Sequence, residues 1–341
     1  MQREAYFDNA KLLFIFLVVF GHLIQPLKQE IEVIDALYQT IYLMHMPAFV
    51  LISGFFAKGS SEKGYLIKLA KRILFPYLLF HIFYTLYYYG IGKNNWDTTL
   101  YDPHWGLWFL LSLFSWHLLL IVFKQMKPLP SLVVAILVGI GVGYVPFIGE
   151  AFSLSRTFVF FPFFLIGFWL TKERLFLAME KTKRWIPALL LLTVFVISYI
   201  GPKIHAHWLF GSHSFQDLGM PVEGGIVRLL LYSVALLMVW AVFMLIPRKN
   251  YHFTRLGQKT MYVYLLHGVI IQYIRQANLL QLDHNLDTIG LAVIAASIVW
   301  LLSSDFVSTF TQPIVEGKIT EIQKWNRQRH KKYTFKEKSS S

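Results

Sequence analysis

Apolar stretches recur along the chain from about position 11 to 311, separated by short polar breaks that hold most of the charge. A helix needs roughly 20 apolar residues to cross about 30 Å of hydrocarbon. The stretches fall at 11–27, 36–57, 66–90, 105–123, 131–148, 156–171, 185–201, 226–247, 259–277 and 288–311. Their length and lack of polar alternation predict helices rather than strands. The expected fold is an all-α polytopic membrane protein of about ten transmembrane helices. One membrane-embedded domain covers 1–311, and a basic tail follows over 312–341. No repeat of solenoid length interrupts this pattern.

Composition agrees. The chain is 56% hydrophobic and 17% aromatic, with 15% charged residues, against about 25% in soluble domains. The net charge of +13 could signal nucleic acid, but the cations sit in clusters between apolar stretches. Counted on alternating sides of ten spans, 26 of the 32 Lys and Arg fall on one side. The other side holds Lys28, Lys93, Arg156, Lys203, Arg228 and Arg275. The positive-inside rule then places both termini in the cytoplasm, with the plasma membrane as the expected location. The segment before the first stretch has no small-residue cleavage site, so that helix is expected to be retained. The chain has no cysteine, which excludes disulfides, thiolate metal sites and a cysteine acyl-enzyme.

Ionisable side chains at membrane depth are costly and mark function by default. His22 lies eleven residues beyond Lys11, roughly 16 Å along a helix axis. His267 lies eight residues beyond Lys259 on the ninth stretch. Histidine is the usual general base toward a hydroxyl. His45, His81 and His117 are also deep, and their plain reading is a neutral imidazole hydrogen-bonded between helices. Lys68, Lys71 and Arg72 share a helical face; they either anchor topology or grip a polyanion. Asp8, Ser53, Trp108 and Arg156 are further candidates on the acceptor side or in structural roles. Trp105 and Trp108 suit an interfacial aromatic belt. His205 and His207 with His213 lack a third ligand at metal-binding spacing, so no metal site is expected.

At these residues the chain resembles the acyltransferase family 3 membrane proteins, closest to the fucose 4-O-acetylase-like branch. Lys11 and His22, ten residues between them, resemble the family's first-helix motif. Ser53-Gly54-Phe55 resembles its Ser-Gly-Phe segment, and Lys71-Arg72-Ile-Leu-Phe-Pro76-Tyr77 its basic patch before a proline. Leu107-Trp108-Phe109-Leu110, Phe161-Pro162-Phe163-Phe164 and Tyr264-Leu265-Leu266-His267 are similar to later segments. Lysine replaces the common arginine at Lys11, Lys68 and Lys71, which keeps the charge but loses the bidentate fork. No hydrolase-like domain is expected after the membrane part, unlike the family's fused members.

The resemblance implies transfer of an acyl group, usually acetyl, from cytoplasmic acyl-CoA to a carbohydrate or glycolipid hydroxyl at the outer face. Acetyl-CoA would be a co-substrate; no bound cofactor is implied. In that reading Lys11, Lys68, Lys71 and Arg72 hold the CoA phosphates, and His22 deprotonates the acceptor. His267 orients the acyl group or donates to the oxyanion. Besides acyl-CoA and the glycan, the lipid bilayer is the expected partner, with no nucleic acid; the oligomeric state is not encoded legibly. A polysaccharide or small-solute exporter with a histidine proton relay is the competing class, and an envelope sensor or scaffold is a third. The charge split generates a test of orientation. Single cysteines at Ser60 and Ser339 are shielded from impermeant thiol reagents in intact cells, and one at Ser212 is labelled. Labelling of Ser60 from outside overturns the orientation.

Overall fold

The computed structural model describes residues 5–28, 31–59, 64–93, 99, 101–149, 151–280, 284 and 287–316. They include thirteen α-helices, with no strand among the described residues. Ten follow the predicted stretches: α1 (Ala5–Ile24), α2 (Glu32–Phe55), α3 (Tyr65–Gly90), α4 (Trp108–Phe123), α5 (Pro128–Gly141), α6 (Leu154–Trp169), α8 (Trp185–Ile200), α10 (Gly224–Leu245), α11 (Thr260–Gln276) and α12 (Asp287–Leu302). Three were not foreseen: α7 (Lys172–Lys181), the single turn α9 (Ala206–Phe210) and α13 (Asp305–Glu316).

Among the described residues four segments are long and apolar enough to cross a membrane: Ala5–Leu27, Glu32–Phe55, Ala151–Trp169 and Gly224–Leu245. Two bent pairs raise this to six, α7 with α8 at 89° and α12 with α13 at 67°. The others fall short for local reasons. α4, α5 and α11 have 16, 14 and 17 residues, and α3 begins with three cations and ends rich in tyrosine.

The last span differs from expectation. Instead of one helix over 288–311, the chain turns at Ser303 and Ser304. The Ser304 hydroxyl accepts the Val307 amide at 3.2 Å, an N-cap that starts a new helix. α13 is tied to α11 by Lys259 on Asp305 at 2.5 Å and by the Tyr262 hydroxyl on Glu316 at 2.6 Å. Helix therefore continues to Glu316, past the expected domain boundary; residues 317–341 of the tail lie outside the described residues.

α2 is the central helix, packed between α1, α6, α8 and α10. Its closest neighbour is α6, and two glycines make that approach possible. A methyl added at Gly54 would collide with the Phe164 backbone, and one at Gly167 with the Leu51 backbone. Without a hydrophobic drive between helices in lipid, small residues at such contacts supply the packing.

α1 is fixed at its first turns by polar contacts. The Tyr6 hydroxyl donates to the Phe243 carbonyl at 2.8 Å. The Asn9 amide donates to the carbonyls of Pro247 and Lys249, both at 2.9 Å. Its own carbonyl oxygen accepts from the Thr254 hydroxyl at 2.7 Å. The start of α1 is thereby bound to the end of α10 and to the 3-10 turn His252–Gln258.

The structure changes the choice of topology reporters. Ser60 and Ser339 lie outside the described residues, and Ser212 is 2% exposed, so a thiol there would be shielded on either side. Val222, 75% exposed on the same loop, is the outer reporter that should label, and exposed Lys183 the inner one that should not. For the packing, Gly54→Ala and Gly167→Ala each lower the melting temperature of the purified protein, since overpacking costs about 1–3 kcal/mol. Gly290→Ala, in a helix with open space around it, does not. Unchanged melting in both tight variants would refute the close approach of α2 and α6.

Candidate active site

His22 sits in the last turns of α1, and His267 in the middle of α11. The two imidazole rings lie 5.6 Å apart, 23° from parallel. Trp105, on the connection between α3 and α4, lies 4.1 Å from the His22 ring and 5.7 Å from that of His267. The Tyr42 hydroxyl of α2 is 3.0 Å from His22 Nδ1. Arg275, in the last turn of α11, donates to the His22 carbonyl and, at 3.0 Å, to Gln25 Oε1. Its guanidinium also lies 5.2 Å over the Trp105 ring.

Two glycines adjoin the histidines and make room for these aromatic partners. A side chain at Gly21 would press on the Tyr42 ring at 3.1 Å, and one at Gly268 on Trp105 at 3.3 Å and on the Tyr84 hydroxyl at 2.6 Å. Trp105 is held by its neighbours: Tyr264 donates to the Gly106 carbonyl at 2.5 Å, and His104 Nε2 is 2.7 Å from the Thr85 hydroxyl. A narrow cavity opens beside it, lined in part by Tyr84, Tyr88, His104, Trp105, Tyr264 and His267.

The hydrogen bonds fix the tautomer of His267. Its Nδ1 lies 2.9 Å from the Val263 carbonyl, and a carbonyl can only accept, so Nδ1 carries the proton. Nε2 of the neutral ring is then a bare acceptor, and it is buried with no partner. In this tautomer a neutral His267 accepts at Nε2, and donation to an oxyanion requires its protonated ring. Among the described residues the Nε–H of Arg275, whose guanidinium lies over Trp105, is a buried donor without a partner.

The remaining candidates separate into two groups. Lys11 is paired with Asp8 at 2.6 Å, and Asp8 also accepts from Gln258 at 3.2 Å. Lys68, Lys71 and Arg72 are exposed on the first turns of α3. Among the described residues they make no contact with the histidine pair, which lies in the last turns of α1 and the middle of α11. The Ser53 hydroxyl donates back to the Phe49 carbonyl at 2.9 Å, a helix-internal bond rather than a nucleophile's arrangement. Arg156 stacks 5.4 Å over Trp108, so those two form one structural unit.

Of the other deep histidines, His45 is bonded within its own helix to the Ile41 carbonyl at 2.7 Å. His117 bridges to the Tyr65 hydroxyl at 3.0 Å, and His81 packs 4.6 Å from His104. The rings of His207 and His213 approach to 3.9 Å. Among the described residues no group of three or more His, Asp or Glu is placed to hold a metal.

The structure places Tyr42, Trp105 and Arg275, none of which the sequence offered as a site residue, beside the two candidate histidines. Trp105 was assigned to the interfacial belt, but its partners place it at the histidine pair. Two signals were present: Arg275 stands against the charge gradient, and each histidine has an adjacent glycine.

The sequence profile of the family described as an acyltransferase domain matches residues 4–304, from the start of α1 to the turn after α12. The chain belongs to that family. Both histidines, Tyr42, Trp105 and Arg275 fall inside the matched region. The chain is also 23% identical over 326 residues to nodulation protein NolL of Sinorhizobium fredii (strain NBRC 101917 / NGR234), covering 87% of this chain and 85% of that protein. No solved structure matches.

Proposed function

We propose that this protein is a plasma-membrane O-acyltransferase of ten spans with cytoplasmic termini, moving an acetyl group from acetyl-CoA to a carbohydrate hydroxyl. Its place in the fucose 4-O-acetylase-like branch is part of this proposal. The carrying observation is the His22–His267 pair, two imidazoles 5.6 Å apart beside a narrow aromatic cavity. Family membership supports acyl transfer, and the paired imidazoles support a base for a hydroxyl.

In this mechanism the Tyr42 oxygen accepts the Nδ1 proton of His22, which leaves Nε2 free as the base. The acceptor hydroxyl gives its proton to Nε2 as its oxygen attacks the thioester carbonyl. The carbon–sulfur bond of the tetrahedral intermediate then breaks, and the imidazolium returns the proton to the leaving thiolate. The products are an O-acyl ester and free CoA. The Arg275 guanidinium is the charged donor for the oxyanion. The bare Nε2 of His267 accepts from a second hydroxyl of the acceptor, selecting which oxygen meets His22.

The donor's phosphates would rest on the cations of α3 at the opposite end, with Lys11 available where it releases Asp8. Replacing Lys71 and Arg72 by glutamine weakens CoA binding by about tenfold or more, since each charge-assisted contact contributes roughly 1.5–3 kcal/mol. Acceptor binding is unchanged. CoA affinity equal to wild type in the correctly inserted variant leaves the cluster as a topology anchor alone.

The central test concerns His22. General-base catalysis is worth about 10²–10⁴-fold, so His22→Ala lowers transfer by that factor while CoA binding survives. His22→Gln keeps volume and an amide but cannot take a proton, and it is nearly as inactive. His117→Gln, remote from the pair, keeps its activity; it is a cleaner control than His45, whose ring lies 4.6 Å from Tyr42. Near-normal turnover by a folded His22→Gln protein would remove the mechanism.

A further inference from the structure

The six cations assigned to the outer side divide into two sets. Three are absorbed by the fold. Lys203 pairs with Asp35 at 3.3 Å and donates to the last carbonyls of α8. Arg228 is 2% exposed, bonded to the Gly139 carbonyl and lying 4.7 Å over Phe215. Arg156 lies over Trp108. Of the other three, Arg275 bonds the His22 carbonyl directly, and Lys28 and Lys93 reach the histidine pair through intervening side chains.

Their placement can be followed contact by contact. The Lys28 ammonium is 5.0 Å over the Tyr38 ring, Tyr38 lies 4.0 Å from Tyr42, and Tyr42 touches His22. The Lys93 ammonium is 4.3 Å over Tyr88 and 3.5 Å from Gln272 Oε1. Tyr88 lines the cavity shared with Trp105 and His267, and Gln272 is one turn before Arg275 on α11. Among the described residues none of these three cations is paired with a carboxylate. Two of the described acids on this side are engaged elsewhere, Asp35 with Lys203 and Gln39 and Asp102 with Thr99.

Positive charge is disfavoured on the outer side, and cations drawn toward one site repel one another; among the described residues no carboxylate pairs with these three. A bound anion would remove that cost. We infer that the acceptor carries an anionic group, a carboxylate or a phosphate, held by Lys28 and Lys93 beside Arg275 while its hydroxyl faces His22. This rests on the proposed acyl transfer to a glycan and adds the charge of the substrate. Aromatic faces next to the cations suit a sugar ring that bears the charge.

The test measures binding without donor, using the full chain in phosphatidylcholine nanodiscs. The probes are one trisaccharide ending in glucuronate, its counterpart ending in glucose 6-phosphate, and the neutral one ending in glucose. At least one charged probe binds about tenfold more tightly than the neutral one, and which one does so identifies the anion. The variant with Lys28→Gln and Lys93→Gln brings the ratio to within about twofold, whereas Lys203→Gln leaves it intact. Equal binding of all three probes, no binding of any, or a preference that survives the double substitution overturns the inference. Transfer from acetyl-CoA is assayed separately. Its failure with every acceptor would sink the enzymatic reading and leave the binding preference standing.

Discussion

The position of α1 is what the site depends on, and polar contacts at its two ends set it. The middle of this helix is apolar on all faces, with Phe14, Ile15, Val18 and Val19 buried. Such a surface defines neither height nor rotation sharply, because apolar packing is not directional. Hydrogen bonds are directional. At the first turns Tyr6 and Asn9 lock the helix to α10 and to the following 3-10 turn. At the last turn the Arg275 guanidinium takes the His22 carbonyl, one of the carbonyls that a helix end leaves without an internal partner. A rotation that broke either end would strand a buried polar group, so the register of His22 against His267 follows from both.

Hydrophobic length and the charge gradient made ten helices legible, because each depends on local composition. The break at Ser303–Ser304 was not legible. Its sequence is still apolar on both sides, and the decisive feature is a serine cap whose partner lies three residues on. α7 was hidden for the opposite reason: its ten residues are amphipathic and charged, so they passed as a loop between two apolar stretches. At the site, His22 and His267 stood out because an ionisable group within an apolar stretch is conspicuous alone. Tyr42 and Trp105 did not, since an aromatic residue in an aromatic-rich chain carries no local signal. Only the long-range approach of α2 and the α3–α4 connection to α1 distinguishes them.

The chemistry of the pair also lies in long-range hydrogen bonding rather than in residue identity. Two histidines in a sequence are interchangeable as candidate bases. Here they differ, because one is bonded to a carbonyl and the other to a hydroxyl. The carbonyl leaves a single neutral tautomer for His267. The Tyr42 hydroxyl both donates and accepts, so His22 can hold its Nδ1 proton or share it as charge develops on the ring. Under the proposed reaction His22 carries the proton, with the Tyr42 oxygen accepting from Nδ1 while the ring is charged. In that reaction His267 holds a fixed acceptor position.

Trp105 joins these elements into one unit. It lies against both imidazoles and under the guanidinium of Arg275, yet it belongs to neither helix that bears them. The segment carrying it is anchored on one side to Thr85 of α3 and on the other to Tyr264 of α11. Under the proposed reaction this arrangement addresses a specific hazard. A thioester beside a general base is open to hydrolysis, and water competes with the sugar hydroxyl for the same proton acceptor. An indole packed on the His22 ring at 4.1 Å leaves little room for a mobile water on that face. Exclusion of water also strengthens the guanidinium's interaction with a developing oxyanion, because the local dielectric falls. In that reaction one aromatic side chain would serve both selectivity for the sugar and stabilisation of the intermediate, held in place by its anchors on α3 and α11.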